Sequence, residues 1–250
     1  MSNKETNLRF VKLQTSSIAH MMVPKDVGWG FTNHPFVEHT IWHDRLLKEL
    51  PRDNGGEHKV TEEEQKKYNL CDRAVYDEWL KEFDKMVMEC PDLTRVYMFW
   101  RAPYKLTFMK YCGEYLSDKD YAEYLADAWV TEENPNMDAN VTRKEALAMF
   151  RSCKKHHLMT KEDLEVWKNI PETITLYRGV CKGHIALGLS WTDDREKAEW
   201  FRNRFNTDGV EGKLLSVKAN RKDIIAYFNT RSEKEMLLDV FQYVDDIVEI

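Results

Sequence analysis

The chain has 250 residues, 42% hydrophobic and 12% aromatic, enough for a sizeable core in one large domain or two smaller ones. Its net charge of −6 excludes a general basic surface for nucleic acid, though not a local patch. The longest apolar runs are too short to cross a bilayer, and the N-terminal MSNKETNLRFVKLQ holds no apolar signal core. Cys71, Cys90, Cys112, Cys153 and Cys181 are odd in number and form no CxxC, which fits free thiols in a reducing compartment. The expectation is a protein that works off the membrane in a cytosol, its own or one into which it is delivered. Its oligomeric state is not legible.

In chain order, HPFVEHTIWHDRLLKEL ends in a short helix, and the polar, turn-rich Pro51–Asn69 reads as a loop. RAVYDEWLKEFDKMVMEC is helical, with Val75, Trp79, Phe83 and Met86 on one stripe. DLTRVYMFWRAPYKLTFMKYCGEYL is ambiguous between strand and helix up to Pro103. SDKDYAEYLADAWV is a helix capped by Ser117 with Asp120 three residues on, a variant of the capping box. NVTRKEALAMFRSC puts Ala146, Leu147 and Phe150 in phase. TKEDLEVWKN is a short helix capped by Thr160 and ended by Pro171.

After Pro171 the texture changes. TITLYRGV and IALGLSWT read as strands. DDREKAEWFRNRF is an amphipathic helix with Ala198, Phe201 and Phe205 on one face. NTDGVEG is a turn, and KLLSVKA, DIIAYF, EMLLDV and VDDIVEI are four more strands. The chain therefore divides near residue 165, with a mostly helical region over 1–165 and a strand-rich region over 166–250, an α+β arrangement.

Several clusters carry no function on this reading. His39 and His43 have i, i+4 spacing that could bind zinc on a helix, but with His34 they lack an evident fourth ligand; a histidine-rich loop or helix face is the expectation, and no metal. His156 and His157 suit a helix C-terminus. Cys153 has no partner for a catalytic dyad. No phosphate-loop or Rossmann glycine pattern occurs. YMFWRAPYKLTFMKY mixes aromatics and bases and reads as core with snorkelling cations rather than a base-stacking surface.

Three pieces in the second region combine into a candidate site: Tyr177–Arg178–Gly179 ending one strand, Ser190–Trp191–Thr192 ending the next, and Glu233–Lys234–Glu235 opening a later one. In that order they resemble the signature of the mono-ADP-ribosyltransferases, in the bacterial toxin and phage branch. SWTDDREKAEWF and SEKEMLLD extend the resemblance, which covers about residues 172–250. Trp191 and Thr192 depart from that family's second and third motif residues. The resemblance implies a split β-sandwich after the helical region, with NAD⁺ in its cleft as substrate. It implies that Glu235 grips the ribose 2′-hydroxyl as the ribosyl cation develops. Arg178 would hold a diphosphate oxygen through its planar fork, and Gly179 would leave its backbone open to the nicotinamide amide. Ser190 would fix the Glu235 rotamer, with Thr192 bracing it. Glu233 would face the acceptor, implied to be a protein arginine, and Phe228 would lie in a substrate-reading turn.

Three alternatives stand beside that reading. Glu233 and Glu235 could form a solvated strand edge, with Arg178 paired to either and Ser190 capping the helix that opens at Asp193. The same cleft could serve an NAD⁺ glycohydrolase with water as acceptor. The chain could also be a non-enzymatic phage, structural or binding protein that keeps the fold.

Overall fold

A computed structural model describes residues 5–49, 60–204 and 212–250. The chain forms two compact units: Asn7–Arg101, and Ala102–Ile250 together with the N-terminal residues up to Thr6. Mixed helix and antiparallel sheet, with helices first, make the chain α+β.

The Asn7–Arg101 unit contains α1 (Leu8–Met21), the hairpin strands β1 (Asp26–Gly28) and β2 (Phe31–Thr32), α2 (His43–Glu49), α3 (Glu62–Lys67), α4 (Arg73–Glu89) and α5 (Leu93–Met98). α2 is the short helix expected there. The loop expected over 51–69 is corrected in part. Residues 51–59 lie outside the described set, whereas 62–67 are helical. Thr61 and Glu64 close a capping box, three glutamates open the helix and two lysines end it, each matched to the helix dipole. On α4 the buried stripe is Tyr76, Trp79, Leu80, Phe83 and Val87; Val75 is half-buried and Met86 exposed. The stripe lies one residue round from the expected one, because Tyr76 and Leu80 join the core made with Ala19, Trp42 and Leu46.

His34 sits in this core. Its Nδ1 accepts the Phe36 N–H at 3.1 Å, and its Nε2 lies 2.9 Å from the Tyr76 hydroxyl, which donates to the Ala19 carbonyl. These bonds fix the neutral tautomer that carries its proton on Nε2. Burial, aided by the Arg101 charge, pushes its pKa down to about 3. His39 is not helical; it bridges Phe31, and its ring stands 5.5 Å from His43.

The second unit opens with α6 (Lys105–Cys112), α7 (Asp118–Val130), α8 (Arg143–Ser152), α9 (Lys155–Leu158) and α10 (Lys161–Lys168). The stretch left ambiguous is thus helical on both sides of Pro103. Ser117, Thr142 and Thr160 cap their helices through side-chain oxygens, and Ala146, Leu147 and Phe150 are all buried. Then come β3 (Thr173–Val180), β4 (Ser190–Thr192), α11 (Arg195–Asn203), β5 (Lys213–Asn220), β6 (Ile224–Phe228), β7 (Glu235–Leu238) and β8 (Val248–Glu249). The expected strands over 185–192 and 244–250 shrink to three and two residues. The turn at 206–211 and Phe205 lie outside the described residues.

The division near residue 165 marks where helices give way to strands, not the edge of a compact unit. α8 and α10 pack on β6, which ties the helices from 102 onward to the sheet.

The sheet order is β6-β7-β4-β3-β5-β8, antiparallel throughout. β3 pairs with β5 along all eight of its residues, but with β4 only through Tyr177 and Thr192. The ladder is therefore one sheet that opens at its middle, two three-stranded halves hinged at a single residue pair. Beyond that hinge, Arg178 to Val180 have no partner on β4, and the halves part.

Candidate functional site

A cleft of about 130 Å³ lies in this unit at the opening between β3 and β4. Its lining includes Arg178, Gly179, Ser190, Thr192, Glu233 and Glu235. Of the residues singled out in the sequence, Phe228 alone lies elsewhere.

Arg178 spans the opening. Its Nη1 donates to the Ser190 carbonyl at 2.8 Å, its Nη2 to Ile185 at 3.1 Å and its Nε to Ala186 at 3.2 Å. A guanidinium thus replaces the ladder hydrogen bonds that β3 and β4 lack past Tyr177. Gly188 lies against it so closely that a Cβ there would stand 2.3 Å from Nη2. Burial lowers the Arg178 pKa to about 10, with Glu235 acting the other way; the group keeps its charge at neutral pH. Asn136 completes the tether of β4: its Oδ1 accepts the Leu189 N–H at 2.7 Å, and its Nδ2 lies 3.5 Å from the Ser190 hydroxyl.

Glu235 is the first residue of β7, opposite Thr192 on one side and Phe228 on the other. Its Oε1 accepts the indole N–H of Trp129, from α7, at 2.7 Å. Burial pushes the carboxyl above its ordinary value. Hydrogen bonds with Ser190 and Trp129 oppose that shift, the Glu233 charge adds to it, and the Arg178 charge opposes it. Ser190, Trp129 and Arg178 all favour the charged form of this carboxyl.

Glu233 precedes the strand. Ser232 and Lys234, either side of it, have φ of 56° and 48°, so the segment is a left-handed turn and the two glutamates do not alternate along a strand. The turn is fixed by the Lys234 N–H donating to Asn229 Oδ1 at 3.2 Å and by the Lys234–Asp194 ion pair at 3.1 Å. It nonetheless delivers both carboxylates to one cleft.

Two expectations are corrected, for Thr192 and Phe228, and Gly179 has a structural role besides the expected one. Gly179 is required by packing: a Cβ there would stand 1.9 Å from the Ala198 carbonyl oxygen and 2.4 Å from the Arg202 nitrogen of α11. Its missing side chain admits the helix backbone. The Thr192 hydroxyl accepts the Asp194 N–H at 3.2 Å, which closes the turn into α11, so it braces the helix start rather than Glu235. Phe228 is 4% exposed in the fully buried β6, its ring 6.2 Å from Phe150; it is core, not a substrate-reading turn.

The sequence reading missed Trp129, Asn136, Glu132, Glu133, Arg204 and Arg231, all of which line the cleft. Glu132 Oε2 is buried without a hydrogen-bond partner among the described residues, and burial raises its carboxyl pKa. The one available signal was Trp129, since a buried indole needs an acceptor for its N–H. Nothing in local sequence could say that the acceptor lies 106 positions away. Among the described residues no group of three or more His, Cys, Asp or Glu is placed to hold a metal ion, and no helix is long and apolar enough to cross a membrane.

Comparison with models of known protein families, with curated proteins and with solved structures finds no match.

Proposed function

We propose that the cleft binds NAD⁺ and that the protein transfers ADP-ribose from it to the side chain of a protein arginine. The observation that carries this reading is the meeting of Arg178, Ser190, Glu233 and Glu235, from three separate segments, in one cleft, with the Glu235 carboxylate held by Ser190 and Trp129. The resemblance to mono-ADP-ribosyltransferases drawn from the sequence requires that meeting. The parting of the sheet into two three-stranded halves supports the split β-sandwich that goes with it.

The chemistry follows from the charges. As nicotinamide leaves, the ribose carbon becomes cationic, and a fixed carboxylate stabilises that state more than the neutral ground state. Glu235 supplies it, oriented before reaction by two donors. Arg178 holds the segment 185–190 against the opening and places positive charge where a diphosphate would lie. The orphan Glu132 Oε2 is an acceptor that suits the nicotinamide amide. Glu233, on its rigid turn, polarises a guanidinium and takes its proton.

The test is incubation with isotope-labelled NAD⁺, a cell lysate and the small guanidine agmatine, followed by mass spectrometry. Transfer to arginine or agmatine that disappears in Glu235→Ala supports the reading. Nicotinamide release with free ADP-ribose and no labelled acceptor would make the protein a glycohydrolase. No turnover would remove the enzymatic reading.

A further inference from the structure

The carboxylate assigned to the acceptor already holds a guanidinium. Arg231 Nε lies 3.4 Å from Glu233 Oε1, and both residues line the cleft. The Arg231 head is steered there by two more contacts: Nη1 donates to the Val130 carbonyl at 3.3 Å, and Nη2 lies 3.4 Å from Glu133 Oε1. The backbone contributes as well. Arg231 sits in the same turn as Glu233, closed by the Ser232 N–H donating to the Asn229 carbonyl at 2.9 Å and pinned by Lys234 on Asp194. The side chain is 35% exposed, so this is no buried structural ion pair. An exposed pair at this distance is weak and opens readily.

Arg204 is a useful contrast. It also faces the cleft, but both of its terminal nitrogens lie 3.0 Å from the Glu133 carboxylate, one on each oxygen. Arg231 is paired with Glu233, where an acceptor would stand.

We infer that Arg231 is a built-in acceptor: the protein ADP-ribosylates itself at this residue. The inference rests on the transferase reading above. In the step, the bond from the ribose anomeric carbon to the nicotinamide nitrogen breaks, and nicotinamide leaves with the electron pair. A terminal nitrogen of Arg231 bonds to that carbon, and the guanidinium proton it loses goes to Glu233. The modified residue carries two phosphates beside Glu133 and Glu233. Like-charge repulsion then swings the modified side chain away from those acids and uncovers Glu233 for an external arginine. Self-modification therefore precedes efficient transfer to other acceptors.

The experiment is a time course of the purified full chain with NAD⁺, with and without agmatine, read by intact-mass and peptide mass spectrometry. Wild type is expected to gain 1 ADP-ribose (on the order of 541 Da) at Arg231 before agmatine labelling reaches its full rate, so that agmatine transfer shows a lag. Arg231→Lys is expected to lose the self-label and the lag while it still labels agmatine, and Arg204→Lys to keep the self-label. If wild type labels agmatine but Arg231 stays unmodified, or if the self-label persists elsewhere at the same rate in Arg231→Lys, the inference is wrong and the transferase reading survives. If wild type labels neither agmatine nor itself, both fall together.

Discussion

His34 and Glu235 are both ionisable groups taken out of water, and their surroundings differ in kind. His34, in the Asn7–Arg101 unit, is fully enclosed; each ring nitrogen has a protein partner, and its pKa is driven down until the group is simply neutral. Glu235, in the other unit, is enclosed on one side by Ser190 and Trp129 and open on the other to a cleft shared with Glu233 and Arg178. The first arrangement is complete in itself. The second leaves two carboxylates and a guanidinium facing one cleft, an arrangement that suits a bound ligand. The contrast teaches how to separate a buried structural titratable group from a site: by asking where its remaining interactions point.

The comparison can be broken most sharply at Glu235. Replacing it with Gln keeps the shape and removes the charge, and transfer should fall by roughly 100-fold or more, with the melting temperature little changed. A large loss of stability without loss of specific activity would put Glu235 in the same class as His34.

Two substitutions ask the reverse question, whether residues once expected in the site belong to the scaffold. Gly179→Ala forces a Cβ into the α11 backbone, and should cost about 3 kcal/mol or more, measured by urea unfolding. Phe228→Ala leaves a cavity against Phe150 and should cost about 3–5 kcal/mol. In both, the activity of the remaining folded protein should be retained to a far greater extent than in Glu235→Gln. Selective loss of acceptor binding in Phe228→Ala would restore it as a substrate reader.

Acid sharpens the contrast from the other side. The His34 pKa of about 3 lies below its unfolded value of 6.5, so the unfolded chain takes up the proton first. The stability contributed by neutral His34 is complete above about pH 6.5 and is lost as pH falls from there towards 3, by at most about 1.4 kcal/mol per pH unit. Unfolding midpoints of wild type and His34→Gln should converge on acidification. The smallest effect is expected for Trp129→Phe. Removing a donor to the carboxylate raises the Glu235 pKa further, so the acidic limb of the activity profile should move to higher pH, with a loss of roughly 10-fold in rate.

Much of the fold was legible because local rules and tertiary structure agree. Caps at Ser117 and Thr160, the phase of Ala146, Leu147 and Phe150 and the alternation in TITLYRGV predict elements that the structure contains. Helix α3 was missed because six consecutive charged or amide residues in a polar stretch hide a capping box that needs no apolar face. The unit boundary at Arg101 was missed because secondary structure, helix to helix, does not change there. For the candidate site, the order Arg178, Ser190, Glu235 was readable, since each sits at a strand end with a chemically telling side chain. Trp129 and Asn136 were not, because their roles come from distant pairings that no local pattern encodes, and Arg231 was not, because it meets Glu233 through a left-handed turn that the strand pattern does not show. Gly179 has a second reason that the sequence did not show, the close approach of the α11 backbone. From sequence, a glycine needed for a ligand and one needed for a helix look alike.

The central claim is that the opening between β3 and β4 holds one dinucleotide. Calorimetric titration of NAD⁺ into Glu235→Gln, where turnover is suppressed, measures it directly. The account predicts one site per chain, displaced by ADP-ribose. No heat and no competition at about 1 mM NAD⁺, a concentration that would reveal even weak binding, would contradict it.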